Sequence, residues 1–263
     1  MTAAPGVPGA PGVSGVSAAH REPELTGQTV VVIGGSAGIG LETARRARAG
    51  GADVILAARN PERLEQAAAE VGAVRTAAFD ATDWDALGRF FGELPDVIDH
   101  VLVTGPGPYY APLAELDRER AHRDFDDHIW LAVAVAQHAV GRVRPGGTLL
   151  FMGGTGGRSR GPGLSLIAAE TAALPALVAN LAVEVAPIRV NLLAAGFVDT
   201  PLSATLLGDG LDQRRAQLRA TLPIGRVVGP ADIAALAVHL MVNTALTGAT
   251  FDIDGGQQLI SHG

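Results

Sequence analysis

The stretch Val30-Val-Val-Ile-Gly-Gly-Ser-Ala-Gly-Ile-Gly40 carries the clearest chemical signal in the chain. A β-branched run delivers the backbone to a glycine-rich turn, and a helix is expected from Leu41 to Gly50. Gly34, Gly38 and Gly40 omit the Cβ atoms that would hold a pyrophosphate away from the main chain, with Ser36, Ala37 and Ile39 completing the cradle. The following helix would turn its unpaired N–H groups and positive dipole end toward the anion. Placed between a strand and a helix, such a turn points to a nucleotide.

The elements around it alternate. Asp53 to Ala58 reads as a second buried strand. Asn60-Pro61-Glu62 reads as an N-cap, a proline at the first helical position and an acidic first turn, opening a helix to about Val71. Strands are expected at Val74 to Phe79, His100 to Val103, Thr148 to Met152, Ile188 to Leu193 and Ala249 to Ile253. Helices are expected at Asp83 to Glu93, Asp117 to Val143 and Leu166 to Val185, the last kinked or interrupted near Pro175. Near-continuous apolar strands alternating with helices imply a seven-stranded parallel sheet covered on both faces, a doubly wound Rossmann-like domain. Ligands in such sheets sit at the carboxyl ends of the strands. That places Gly34 to Gly40, Arg59, Asp80, Thr104 to Gly107, Gly153 to Gly157 and Ala195 to Thr200 around one crevice.

With 263 residues, 48% of them hydrophobic, the chain suits one large domain. A net charge of −7 without a basic run disfavours nucleic acid or an anionic membrane as partner. The absence of cysteine excludes disulfides, thiolate zinc sites and thiol nucleophiles, and the seven histidines lack metal-ligand spacing, so no metal is expected. Residues 1–24 form a Pro/Gly/Ala-rich tract, expected to be a disordered tail before a domain at residues 25–263. No signal peptide is read there. Leu166 to Ala186 is broken by Glu170, Pro175, Asn180 and Glu184, so a soluble, cytoplasmic protein is expected.

From about Gly27 to Gly256 the sequence resembles the short-chain dehydrogenase/reductase family. The resemblance rests on Gly34-xxx-Gly38-x-Gly40, Asp80-Ala-Thr-Asp83, Arg189-Val-Asn191, Gly196-Phe-Val-Asp-Thr-Pro201, and Thr247-Gly248 with Asp252-Ile-Asp-Gly-Gly256. It implies that Asp80 and Ala81 contact the adenine, that Gly105 lies beside the cofactor, and that Val198 and Thr200 belong to the nicotinamide turn. It also implies a homodimer or homotetramer built on the two long helices, a small-molecule substrate, and a substrate lid at Leu202 to Thr221 hinged at Gly208 and Gly210. Members preferring NAD(H) offer an acid at the end of the second strand. Here Ala58 is followed by Arg59, whose charge-assisted bond to a 2′-phosphate would be worth about 1.5–3 kcal/mol in favour of NADP(H).

The family's catalytic tyrosine, lysine, serine and asparagine fall on Ile167, Thr171, Gly154 and His128 in an ungapped alignment, so the resemblance implies an atypical branch. Losing a general acid costs about 10²–10⁴ in rate, whereas positioning two reactants supplies about 7–11 kcal/mol, so redox chemistry is weakened and not forbidden. His128 is the first candidate for a replacement proton donor, against the alternative of a polar helix residue bonded to a backbone carbonyl. Tyr110, with Tyr109, is the second, against a role as wall of the substrate site. Glu170 is expected to face a neighbouring subunit or solvent, Trp130 the core or an interface. Arg158, Ser159 and Arg160 are read as an exposed basic loop. The expected function is reduction or formation of a carbonyl or imine with NADP(H). The alternatives are a non-redox cyclase, dehydratase or isomerase, and a cofactor-binding protein without turnover.

Overall fold

In a computed structural model, which describes residues 24–105, 107–158 and 160–260, the apolar runs form seven parallel strands. They are β1 Thr29–Ile33, β2 Asp53–Ala58, β3 Arg75–Ala78, β4 Ile98–Val103, β5 Val143–Gly154, β6 Arg189–Ala195 and β7 Thr250–Ile253, in the spatial order 3-2-1-4-5-6-7. The order reverses between β1 and β4, which is where doubly wound sheets open a ligand crevice. All but residue 24 of the expected tail lies outside the described residues.

Alternation along each strand divides the core. Val30, Val32, Val54, Leu56, Leu102 and Leu193 face one side, covered by α1 Gly38–Ala49, α2 Pro61–Val71 and α9 Pro230–Val242. Val31, Ile33, Ile55, Val101, Val103 and Leu149 face the other, covered by α3 Trp84–Glu93, α5 Leu131–Ala139 and α6 Ser165–Glu184. Leu25, Leu56, Leu102, Leu149 and Leu150 are among the side chains fully withdrawn from solvent. Each contributes about 1.5–3 kcal/mol of transfer free energy. Caps set the boundaries: Asn60 Oδ1 accepts from Arg63 N–H at 2.8 Å and Asp83 Oδ1 from Ala86 N–H at 3.0 Å.

Three sequence expectations change. The helix expected over Asp117 to Val143 is divided into α4 Arg118–Phe125, a π turn at Asp126–Trp130 and α5, which ends at Ala139. Leu131 N–H bonds Asp126 O, one residue beyond the α-helical step. The next strand begins at Val143, earlier than expected, because Val143 pairs with Ile98 across a register shift. Pro175 does not interrupt α6, where Leu174 and Val178 bury into the core on either side of it. By length and composition α6 would suit a membrane span, but it packs here against β5 and β6. Helix α9 is announced only by Pro230 at its first position and Asp232, whose carboxylate accepts from Gly229 N–H at 2.9 Å. Arg189 closes the far end of α9. Its guanidinium donates to the carbonyls of Leu240 and Met241 at 2.7 Å each, so the family-like Arg189-Val-Asn191 segment serves the fold.

Between β6 and α9 lies the expected lid, α7 Pro201–Leu207 and α8 Leu211–Thr221, joined through Gly208 and Gly210. Arg215 anchors it to Asp199, with Nη2–Oδ1 at 2.7 Å and Nε–Oδ2 at 2.9 Å.

Candidate active site

At the carboxyl ends of β1, β2 and β4 a crevice of about 670 Å³ opens, lined by Gly34, Ser36, Ala37, Gly38, Ile39, Arg59, Asp80, Ala81, Gly105 and Thr200. Two expected cofactor residues are not part of its lining. Val198 is packed into the core and bridges to Val228. Gly40 lies behind the turn, where a Cβ would come within 2.3 Å of Gly34 O.

The glycines therefore divide their work differently from the sequence expectation. A Cβ on Gly34 would lie 2.1 Å from Thr104 Oγ1, so Gly34 and Gly40 let the turn fold closely upon β4 and upon itself. Gly38, with φ +55° and Thr200 3.5 Å from its ideal Cβ, is the one of the three that both lines the crevice and keeps it open. Helix α1 has no side-chain cap from its N-cap residue Ala37 and no acid in its first turn. Its first N–H groups and dipole thus remain available to an anion at the crevice floor. Arg59 and Arg63, both exposed, line the same crevice, and neither side chain has a hydrogen bond or ion pair among the described residues. An open α1 terminus, a positive-φ glycine and two unpaired guanidiniums fit an anionic dinucleotide.

The opposite wall comes from α4 and the π turn. Arg120, Arg123, Asp124 and Asp127 line it, together with Tyr109. The sequence reading missed these four, although their spacing of 0, 3, 4 and 7 marks one helix face. Arg63, four residues beyond Arg59, carried the same signal. Arg120 stacks over the Tyr109 ring at 4.2 Å, and the Tyr109 hydroxyl accepts from Asp117 N–H at 3.1 Å.

His128 sits in the π turn with 12% of its side chain exposed. Its Nδ1 lies 2.8 Å from the Asp124 carbonyl, and since a carbonyl only accepts, Nδ1 carries the hydrogen. The lone pair is then on Nε2, 3.9 Å from the ideal Cβ position of Gly105, a residue of the crevice wall. The expected backbone bond is present, while His128 itself is not part of the crevice lining and meets it only beside Gly105. Glu170 is a correction: it faces neither solvent nor a neighbouring subunit. It is 0% exposed, with Oε2 3.7 Å from His128 Nδ1, because α6 packs against the π turn. Burial, and then the Asp124 carboxylate, push the Glu170 carboxyl up to about 8, so it is protonated at neutral pH. Burial likewise raises the Asp127 carboxyl.

The remaining sequence candidates scatter. Tyr110 is 53% exposed and is not part of the crevice lining, although its phenol feels Asp124 and the lid residue Arg214. Thr171 Oγ1 donates to Ile167 O at 2.7 Å. Arg158 pairs with Asp252, Nη2–Oδ1 at 2.8 Å, tying the loop after β5 to β7. Ser159 lies outside the described residues, and Trp130 is 56% exposed. Leu202, at the start of the lid, lines the crevice and lies 2.9 Å from the ideal Cβ position of Gly107 across it.

This fold, with its crevice at the β1–β4 switch, defines a dinucleotide-dependent oxidoreductase scaffold. A family model described as enoyl-(acyl carrier protein) reductase matches residues 33–258, and the chain belongs to the short-chain dehydrogenase/reductase family. The short-chain dehydrogenase/reductase ATR9 of Stachybotrys chlorohalonatus is 29% identical over 257 residues, covering 89% of this chain and 98% of its own. The solved structure of the MalC reductase/Diels-Alderase from Malbranchea aurantiaca superposes with a TM-score of 0.82 at 25% identity, covering 91% of this chain and all of that one. A small-chain dehydrogenase crystallised with NADPH gives a TM-score of 0.76 at 27% identity, over 89% and 99% of the two chains.

Proposed function

We propose that this chain is an NADP(H)-dependent oxidoreductase that reduces, or forms, a carbonyl or imine in a small molecule, with His128 in place of the family's usual proton donor. The observation that carries the cofactor preference is the pair Arg59 and Arg63, unpartnered and lining the crevice beyond the end of β2. The α1 terminus and Gly38 would hold the diphosphate, Asp80 and Ala81 the adenine, and Gly105 and Thr200 the nicotinamide half. The NADPH-bound relative supports the same reading.

When bound, NADPH supplies a hydride to the substrate carbon. The chain's own part is to orient the substrate, exclude water and manage one proton. The family's tyrosine and serine positions fall on Ile167 and Gly154, which hold no proton to give, and Thr171, at the lysine position, spends its hydroxyl on Ile167 O. A Cβ on Gly154 would stand 3.4 Å from Thr171 Cγ2, which supports that correspondence. His128 Nε2 lies 3.9 Å from the ideal Cβ position of Gly105 in the crevice wall, and in its protonated form it would deliver a hydrogen to the developing alkoxide or amide nitrogen. Leu202 and the lid would close the outer side of the site.

NADPH titration followed by cofactor fluorescence tests the first half, and absence of binding at millimolar cofactor overturns it. On any substrate that then turns over, His128→Ala is expected to lose about 10²–10⁴ in rate while Tyr110→Phe stays near wild type. Equal losses would move the donor to Tyr110. A second reading, non-redox bond formation, is favoured by the apolar Ile167 position and by the dual description of the Malbranchea relative. Substrate consumption with NADPH left reduced would select it. We also propose a cytoplasmic homodimer or homotetramer built on the exposed faces of α6 and of the π turn with α5, where Val183 and Trp130 stand open to solvent. Sedimentation at micromolar protein tests the assembly.

A further inference from the structure

Donation from His128 does not explain why two carboxyls are buried behind it. Asp124 is 5% exposed and Glu170 fully buried. Oxygen atoms of both lie within 4.8 Å of each other and of the imidazole. Asp124 Oδ2 accepts from Tyr109 N–H at 3.2 Å, which leaves Oδ1 turned inward, 3.6 Å from His128 Nδ1. Glu170 Oε2 stands at 3.7 Å from the same nitrogen, and neither Glu170 oxygen has a hydrogen-bond partner among the described residues. No lysine or arginine pairs with either carboxyl there. The charged groups next in line are Asp127 on the π turn and, beyond it, Asp80 and Arg59 across the crevice. Two ionised carboxylates cannot share so dry a space without a cation. The imidazole is the group poised to become one.

We propose that Asp124 and Glu170 hold a single proton between them, so that the pair presents His128 with one mobile negative charge, and that Glu170 is a positioning residue acting through His128. The two carboxyls stand at nearly equal distance from Nδ1, so the charge serves the imidazole from either one. With His128 neutral, the cluster carries one negative charge. Proton uptake at Nε2 from solvent brings it to zero. Transfer from Nε2 to the substrate oxygen breaks one N–H bond and forms one O–H bond, while the substrate carbon accepts hydride and NADPH is oxidised to NADP⁺. The cluster then returns to one negative charge. The buried proton on the carboxyl pair never leaves. The role in turnover rests on His128 being the donor, whereas the shared proton does not.

The test is therefore spectroscopic, on the whole chain without substrate. Infrared difference spectra at neutral pH are expected to show one protonated carboxyl in the wild type that is missing in Glu170→Gln, where Asp124 alone remains, and that ionises at lower pH in Asp124→Asn, where the neighbouring charge is gone but burial still holds the Glu170 proton. Nitrogen-15 NMR of the histidine rings gives the second readout. Glu170→Gln should leave the His128 signals almost unmoved, because the Asp124 counter-charge remains. The double variant should move their titration toward acid by about one pH unit or more. Failure of the double variant to fold leaves the infrared comparison to decide. No protonated carboxyl in the wild type overturns the proposal. So does a shift in Glu170→Gln as large as that in the double variant. Stoichiometric Mn²⁺ binding that broadens the His128 signals also overturns it, and makes the cluster a metal centre instead. Loss of NADPH turnover with these spectra intact would refute the proposed function alone.

Discussion

Replacing Gly40 by alanine separates packing from local propensity in the nucleotide turn. Alanine inside a helix normally gains about 1 kcal/mol over glycine. At position 40 the new methyl would lie 2.3 Å from Gly34 O, 2.9 Å from Gly34 C and 3.2 Å from Gly35 Cα, all main-chain atoms. That turn cannot swing aside. Gly34 N–H is bonded to Ala57 O at 2.8 Å, and Thr104 Oγ1 donates to Gly34 O at 3.2 Å. Overpacking against a fixed main-chain neighbour this close falls in the upper part of the usual range, about 2–3 kcal/mol, so the net expectation is a loss of about 1–2 kcal/mol after the propensity gain. For a domain of this size that lowers Tm by about 2–8 °C. Gly92, exposed near the end of α3 with nothing within 4 Å of its ideal Cβ, is the control, and Gly92→Ala should raise Tm by up to about 4 °C. Thermal unfolding followed by circular dichroism compares the three proteins, with NADPH added in a second series. The displaced α1 terminus should also reduce the stabilisation that NADPH gives. A Gly40→Ala protein melting at or above wild type would refute the packing argument.

Arg59→Glu combined with Arg63→Glu should weaken NADPH binding by about tenfold to a hundredfold and leave NADH nearly unchanged, as read by fluorescence titration at fixed ionic strength. Glu170 titrates near 8 in the folded chain against an ordinary 4.5, so the native state holds the extra proton between those values and stability should fall as pH rises through that window. The difference of about 3.5 units sets a ceiling of about 5 kcal/mol, reduced where Asp124 shares the proton. Urea unfolding at pH 5 and pH 8.5 should show a smaller fall for Glu170→Gln than for wild type. His100, lowered by burial to about 3, works in the opposite sense in both proteins and cancels from the comparison. Arg189→Ala should cost about 3 kcal/mol or more in the same assay by stranding the carbonyls at the end of α9, and an unchanged midpoint would refute that capping role.

The sequence by itself determined the sheet, the strand–helix alternation and the position of the crevice. Those follow from short-range rules: β-branched runs, caps such as Asn60 and Asp83, and the principle that ligands meet a doubly wound sheet at its carboxyl edge. It also put Arg59, Asp80 and Gly34 at strand ends, and these residues line the crevice. It misassigned the reason for Gly40, because a contact with Gly34 O exists only once the turn has closed.

Glu170 was out of reach for a deeper reason. Its neighbours along the chain are alanine, threonine and more alanine, which suit an exposed or subunit-facing stretch equally well. What buries it is the crossing of α6 over the π turn, a register shift of one residue in a helix that periodicity alone makes regular. Local sequence fixes which groups can ionise. The tertiary crossing decides which of them must share a proton, because only it sets the distance between charges and the water left around them.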